Sequence, residues 1–213
     1  MTDTVLYDYW RSSASYRVRI ALNLAGIAYE TVVIDLLKSQ HSGSDHRARN
    51  PQGLVPALQI DGQMLTQSLA IVEYIHETRA AGLLPGDALE RARVRSLSHI
   101  IAMEIHPVCN LSVVSDVMAR TGGGDTVRSE WMQHYIRKGL LAFEERLGDG
   151  HSGTFCHGDA PTMADLCLVP QIYNANRWGA DIADLDRVNA VVENCAGLDA
   201  FAAAHPDATG PPA

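Results

Sequence analysis

Near residue 85 the hydrophobic period of this chain changes, and that change limits what it can fold into. Before it, short β-branched runs alternate with helical patterns; after it, only helical patterns occur. Thr4–Tyr9 reads as a strand. Ser15–Ala25 carries Val18, Ala21, Leu22 and Ala25 on one helical face and meets a stop at Gly26. Ala28–Leu36 is β-branched and reads as a second strand. Residues 37–53 are polar and turn-rich, a loop with at most one short helix. Two further strands flank the Asp61-Gly62 turn, with Pro56 at the head of the first, where no ladder donor is needed. Ser68 is placed to cap a helix over residues 69–81. The order is β-α-β-loop-β-β-α. Gly82, Pro85 and Gly86 then mark a linker.

Beyond the linker, residues 88–120 form one long helical pattern. Pro107 inside it is expected to remove the bond to Met103 and bend the helix. Residues 121–125, TGGGD, read as a flexible loop, and residues 127–147 as a long amphipathic helix. Thr162-x-x-Asp165 is a capping-box variant opening another helix. One or two shorter helices follow Val188, and a disordered tail is expected from Asp207. Two domains are therefore expected, residues 1–81 and 88–213.

Seventeen Lys and Arg against 25 Asp and Glu leave a net charge of −8, which excludes a broad nucleic-acid surface. Local arginines can still bind a small anion. Cys109, Cys156, Cys167 and Cys195 form no CxxC or zinc-finger spacing, so reduced, mostly buried thiols are expected. No histidine–carboxylate set has ligand spacing, so no metal is expected. The N-terminus lacks the basic and apolar regions of a secretory signal, and no 18 consecutive residues are apolar. A cytoplasmic protein without a membrane partner is the expectation.

The segment Trp10–Leu22, WRSSASYRVRIAL, carries the chemistry. Ser12, Ser13 and Ser15 sit at a helix start, with Arg11, Arg17 and Arg19 around them. A single serine there is an ordinary cap. Three, beside positive charge and the helix dipole, also fit an anion or thiolate site. A hydroxyl donated to a thiolate contributes about 1.5–3 kcal/mol, enough to bring a thiol toward neutral pH. Val55-Pro56 reads as a strand start or as a cis bond presenting backbone to a ligand. Gln67-Ser68 reads as a cap or as a second carboxylate-binding helix end. His106 and Asn110, four apart, are expected to share a helix face near the Pro107 bend. Arg177 is a surface residue by default.

Together these residues resemble the zeta class of glutathione transferases, the maleylacetoacetate and maleylpyruvate isomerase family. The matching stretches are Arg11–Leu22, Asn50–Leu58, Leu65–Ile75, His106–Val113 and Thr162–Gln171, in family order over nearly the whole chain. The resemblance implies a glutathione transferase fold, an α/β thioredoxin-like N-terminal domain plus an all-α helical C-terminal domain, and a homodimer. Glutathione would be the cofactor. Ser13 best matches the thiolate-activating serine, with Ser12, Ala14, Ser15 and Arg17 around it. Gln67 and Ser68 would hold the γ-glutamyl end, Val55 before Pro56 the cysteinyl backbone, and His41 the glycine end. His106, Asn110, Leu111 and Ser112 match cleft-lining positions. Arg11 and Arg177 would clamp substrate carboxylates. Family members often have SSCS where this chain has SSAS, so Ala14 leaves no protein thiol there.

The implied reaction is isomerisation of maleylacetoacetate to fumarylacetoacetate in tyrosine and phenylalanine breakdown. Maleylpyruvate isomerisation in gentisate breakdown and conjugation of small halogenated acids are the alternatives within the class. A non-catalytic interaction protein with this fold would have lost the serines, the Gln-Ser pair or the arginines. All of them are present.

Overall fold

The computed structural model describes residues 3–211. Asp61 and Gly62 both have positive φ, 51° and 73°, the geometry of a two-residue hairpin turn whose twist matches its strands. That turn joins β3 (Ala57–Ile60) to β4 (Gln63–Thr66), which pair antiparallel. β1 (Val5–Asp8) lies antiparallel to β3 and parallel to β2 (Glu30–Val33), giving the order β2-β1-β3-β4. The parallel β1–β2 pair needs a crossover, and helix α1 (Ser13–Leu24) supplies it. The residue 37–53 segment contains a short 3₁₀ turn (Gln40–Ser42) and α2 (Ser44–Arg49). Helix α3 (Ser68–Arg79) packs against α1. Leu6, Leu58, Ile60, Val18, Leu22, Ile71, Val72 and Ile75 are all buried, the pattern of a sheet with one face covered by helices. Tyr7, Ile34 and Ala57 form a smaller cluster, with Val55 against it.

Two compact units result. One comprises residues up to Leu84 together with residues from Ala196 onward; the other is Pro85–Cys195. The C-terminal segment, expected to belong with the helical part, thus packs with the sheet. The cause is a buried arginine. Arg19 pairs with Asp8 at 2.8 Å, the side chains 1% and 4% exposed, and its Nε donates to the carbonyl of Ala204. Asn23 likewise donates to Ala200. These bonds hold α10 (Asp199–Ala204) on α1. The tail is not disordered where expected: Pro206–Thr209 forms α11, its start capped by the His205 ring accepting from Asp207 N. Pro212 and Ala213 lie outside the described residues.

The helical unit holds α4 (Ala88–His99), α5 (His106–Val108), α6 (Leu111–Thr121), α7 (Asp125–Leu147), α8 (Met163–Trp178) and α9 (Asp186–Ala196, ending at the boundary). Between α4 and α5, residues Ile100–Ile105 widen into a π-helical turn, with His106 N donating to Ile101 O. This is how the chain accommodates Pro107, where a simple bend was expected. The helix then ends, and Asn110 starts α6 from extended backbone. The TGGGD segment is a tight connection: Gly122 ends α6 at φ 67°, and Asp125 already starts α7. At Gly139 a Cβ would run into Ile105, so α7 approaches the π turn closely only because that residue is glycine.

By length and composition the run Ala88–Thr121 could cross a bilayer. A count of uninterrupted apolar residues had missed it. The chain buries only 17% of its most apolar window, and Met103, Leu111 and Val113 stay exposed. The helical path nevertheless restarts at Asn110.

One charged centre organises the connection into α8. Arg93, buried, donates to Asp149, Ser152 and Cys156 O. The guanidinium holds the Asp149 carboxyl at about 2, against an ordinary 3.8. A carboxyl depressed on folding adds stability above its unfolded value, which is lost as pH falls through the folded value. We therefore expect urea midpoints of the native chain to fall between about pH 4 and pH 2. Asp149→Asn should lower the midpoint at pH 7 and flatten that acid limb. An equally steep limb in the variant would remove Asp149 as its source.

Candidate active site

The serine cluster divides its work by position. Ser12 is the N-cap of α1, its Oγ accepting from Ser15 N at 3.2 Å. Ser15 is fully buried, and its hydroxyl has no hydrogen-bond partner among the described residues. Ser13 is the first helical residue and keeps 9% exposure. Of the three it stands at the helix mouth with its hydroxyl outside the capping bond, where the macrodipole favours a thiolate. Ala14, next on the first turn, brings only a methyl.

The arginines also separate. Arg19 is engaged by Asp8, Trp10 O and Ala204 O, so it adds no charge to the helix mouth. Arg17, 1% exposed, crosses instead to α3 and donates to Ser68 Oγ at 3.2 Å. One buried cation thus ties the N-termini of α1 and α3 together. Arg11 lies half-buried just before the cap, makes no ion pair among the described residues, and has a buried Nε with no partner.

Ser68 is not the cap of α3, as the sequence suggested. Gln67 is the N-cap, with φ 68° and ψ 111° and no side-chain cap bond. Its conformation turns the backbone sharply and leaves Ser68 inside the first turn, facing Arg17. A non-glycine residue held at positive φ costs about 1–3 kcal/mol and persists where a site needs it. Gln67 Nε2 donates to Gln52 Oε1 at 2.7 Å. Gln52 was not anticipated, because a glutamine in a turn carries no periodicity or spacing signal.

The loop before β3 is braced from below. Leu54 O accepts from both His46 Nε2 and Asn50 Nδ2, at 2.8 and 2.9 Å. The bond Val55-Pro56 is cis, and Val55 packs on the Tyr7 cluster. His41 adjoins this loop, its carbonyl 3.0 Å from where a Cβ on Gly53 would stand. Burial, followed by the charges of His46 and Arg47, lowers the His41 pKa.

The remaining candidates lie in the helical unit. His106 opens α5 and Asn110 caps α6 across an interruption of the helix, so they do not share a helix face as expected. Asn110 Oδ1 accepts from Ser112 N and Ser112 Oγ, both at 3.1 Å. Leu111 is 52% exposed. Arg177, exposed in the last turn of α8, lies over the Trp178 ring at 5.1 Å. Among the described residues no group of three or more His, Cys, Asp or Glu could hold a metal. Burial pushes the Cys109 thiol up to about 12 and those of Cys156 and Cys195 well above the usual range. These three thiols are poor sources of a thiolate at neutral pH, which suits a sulfur nucleophile brought by a ligand. The two tied helix ends suit one carrying a thiol and a carboxylate.

The family model for the glutathione S-transferase N-terminal domain matches residues 3–77, and that for the C-terminal domain matches residues 125–194. The chain is 61% identical over 210 residues to the maleylacetoacetate isomerase of Rhizobium meliloti (strain 1021), covering 98% of this chain and 99% of that one. A crystal structure of maleylacetoacetate isomerase from Methylobacterium extorquens AM1, with bound malonate and glutathione, has a TM-score of 0.94 at 42% identity, covering 98% of this chain and all of that one. The holo structure of a maleylpyruvate isomerase, described as a bacterial zeta-class transferase, has a TM-score of 0.93 at 40% identity, covering 96% and 97% of the two chains. With its thioredoxin-like sheet, its helical unit and its serine-led helix mouth, the chain belongs to the glutathione S-transferase family, in the zeta class of maleylacetoacetate and maleylpyruvate isomerases.

Proposed function

We propose that this chain is a glutathione-dependent isomerase that converts maleylacetoacetate to fumarylacetoacetate. The observation that carries this reading is the pair of helix N-termini, at Ser13 and Ser68, tied through Arg17. When bound, glutathione would supply a thiolate that adds to the cis double bond and is expelled again as a thiolate once that bond has turned. Ser13 donates a hydrogen bond from its hydroxyl to the sulfur and, with the α1 dipole, keeps it ionised. Ser12 and Ser15 shape that first turn, and Ala14 leaves it room. Ser68 and the α3 N-terminus, with Arg17 behind them, receive the γ-glutamyl carboxylate, and Gln67 its polar neighbours. The Val55 backbone, before Pro56, bonds the cysteinyl unit, and His41 is assigned to the glycine end. Arg11, a cation without a carboxylate partner, receives a substrate carboxylate. Arg177 is assigned the other, and His106, Asn110, Leu111 and Ser112 are assigned to the cleft.

Maleylpyruvate is the second substrate reading, favoured by the likeness to the maleylpyruvate isomerase fold. A homodimer in the cytoplasm completes the proposal. The exposed apolar side chains of Met103 and Val113 support the first part. Four free cysteines suit a reducing compartment.

The test is turnover of maleylacetoacetate with glutathione far below the substrate concentration, the product being consumed by fumarylacetoacetate hydrolase. We expect many products per glutathione. Glutathione consumed one for one would make the chain a conjugating transferase. Turnover of maleylpyruvate alone would establish the second reading. No turnover and no glutathione binding would sink both.

A further inference from the structure

Arg11 is held by its two chain neighbours. Its guanidinium carbon lies 4.8 Å from the Trp10 ring centroid, and its NH2 donates to Tyr9 Oη at 3.3 Å. Tyr9 is 5% exposed and Trp10 half-buried, their ring centroids 6.3 Å apart. A tight turn closed by Ser12 N on Tyr9 O, at 2.8 Å, fixes the three residues just before the α1 cap. Neither aromatic supplies a counter-charge. A ring face and a phenolic oxygen restrain a guanidinium while leaving its charge unneutralised. The buried Arg11 Nε still lacks an acceptor. An arginine without a carboxylate partner ordinarily samples many rotamers, and binding an anion must freeze them. Restraint beforehand lowers that cost.

We propose that Tyr9 and Trp10 are positioning residues that preset Arg11 for a substrate carboxylate, and so set the preference for dicarboxylate substrates. This rests on the reading of Arg11 above. Neither residue touches the reacting atoms; both act through the guanidinium.

The test uses the full-length enzyme with Tyr9→Phe, Trp10→Leu, Trp10→Phe and Arg11→Met. Two readouts are taken: the ratio of kcat/KM for maleylacetoacetate to that for an uncharged electrophile, and the inhibition constant of malonate as a small dianion probe. Trp10→Leu is expected to lower the ratio about three- to thirtyfold and to weaken malonate by a similar factor. Tyr9→Phe, which removes one oxygen, should lower the ratio about three- to tenfold. Trp10→Phe, which keeps a ring face, should recover most of the loss. A general packing defect would depress both substrates together and leave the ratio unchanged, which would overturn the proposal. So would a ratio that falls in Arg11→Met but in neither aromatic variant. An unchanged ratio in Arg11→Met would instead remove Arg11 as the carboxylate ligand, and the reading beneath this proposal with it.

Discussion

Ser13→Ala is expected to lower the isomerase kcat on the order of 10²-fold while the glutathione Kd moves less than about threefold. A hydroxyl hydrogen bond to a thiolate contributes about 1.5–3 kcal/mol, equivalent to one to two pKa units. On the proposed reading the ground-state tripeptide is held elsewhere, at Ser68, Gln67 and the Val55 backbone, so its affinity should survive. The lesion is confined to chemistry because Ser13 is not the cap. Ser12 takes the Ser15 amide, and alanine is a good helix former at the first helical position. Steady-state kinetics with calorimetric glutathione titration would separate the two quantities. Thiolate absorbance of the binary complex should show the bound thiol pKa rising by about one to two units. Unchanged turnover would end the assignment of Ser13 and return the cluster to capping alone.

The largest effect on stability is expected at Asp165. Its carboxylate is fully buried and accepts from Cys156 N and Thr162 N, each at 2.8 Å, and from Thr162 Oγ at 2.9 Å. Burial pushes its pKa up, and the three donors oppose that. The buried carboxyl is accommodated by these three hydrogen bonds. Asp165→Ala leaves two buried amides and a hydroxyl unmet, each costing about 1–3 kcal/mol, so a loss of roughly 3–5 kcal/mol is expected. The same change frees the start of α8 and the strand-like approach through Cys156, which Arg93 grips from the other side. Urea unfolding would measure it, with Thr162→Ala as the milder comparison. A loss below about 1 kcal/mol would mean that the capping box is ornamental to the fold.

Much of this was legible in the linear chain because local chemistry decided it. The Asp61-Gly62 turn needs two positive φ angles, and aspartate followed by glycine tolerates them. Thr162 and Asp165 make their reciprocal cap within one helical turn, so no distant residue could alter it. The period change near residue 85 announced a sheet unit followed by helices, and the division falls between Leu84 and Pro85. Ser12, Ser13 and Ser15 had to stand at a helix start, since serine competes for backbone amides there.

What sequence order alone left undecided was which distant group each charge meets. Arg11, Arg17 and Arg19 look alike in the chain, yet one is stacked on Trp10, one crosses to Ser68 and one is locked to Asp8. Their separation depends on the mixed sheet and the α1–α3 packing, which bring residues 51 apart to hydrogen-bond distance. Ser68 changed from cap to first-turn residue because Gln67 adopts a positive φ that no propensity would assign to glutamine. His106 and Asn110 parted because the π turn and the end of α5 reset the helical register. The sequence by itself determined the elements, their order and the residue types at the helix mouths, through propensities and caps that act over a few residues. Only the tertiary structure decided which cation is neutralised and which meets no carboxylate among the described residues, because that choice is made by groups that become neighbours only when the chain is folded.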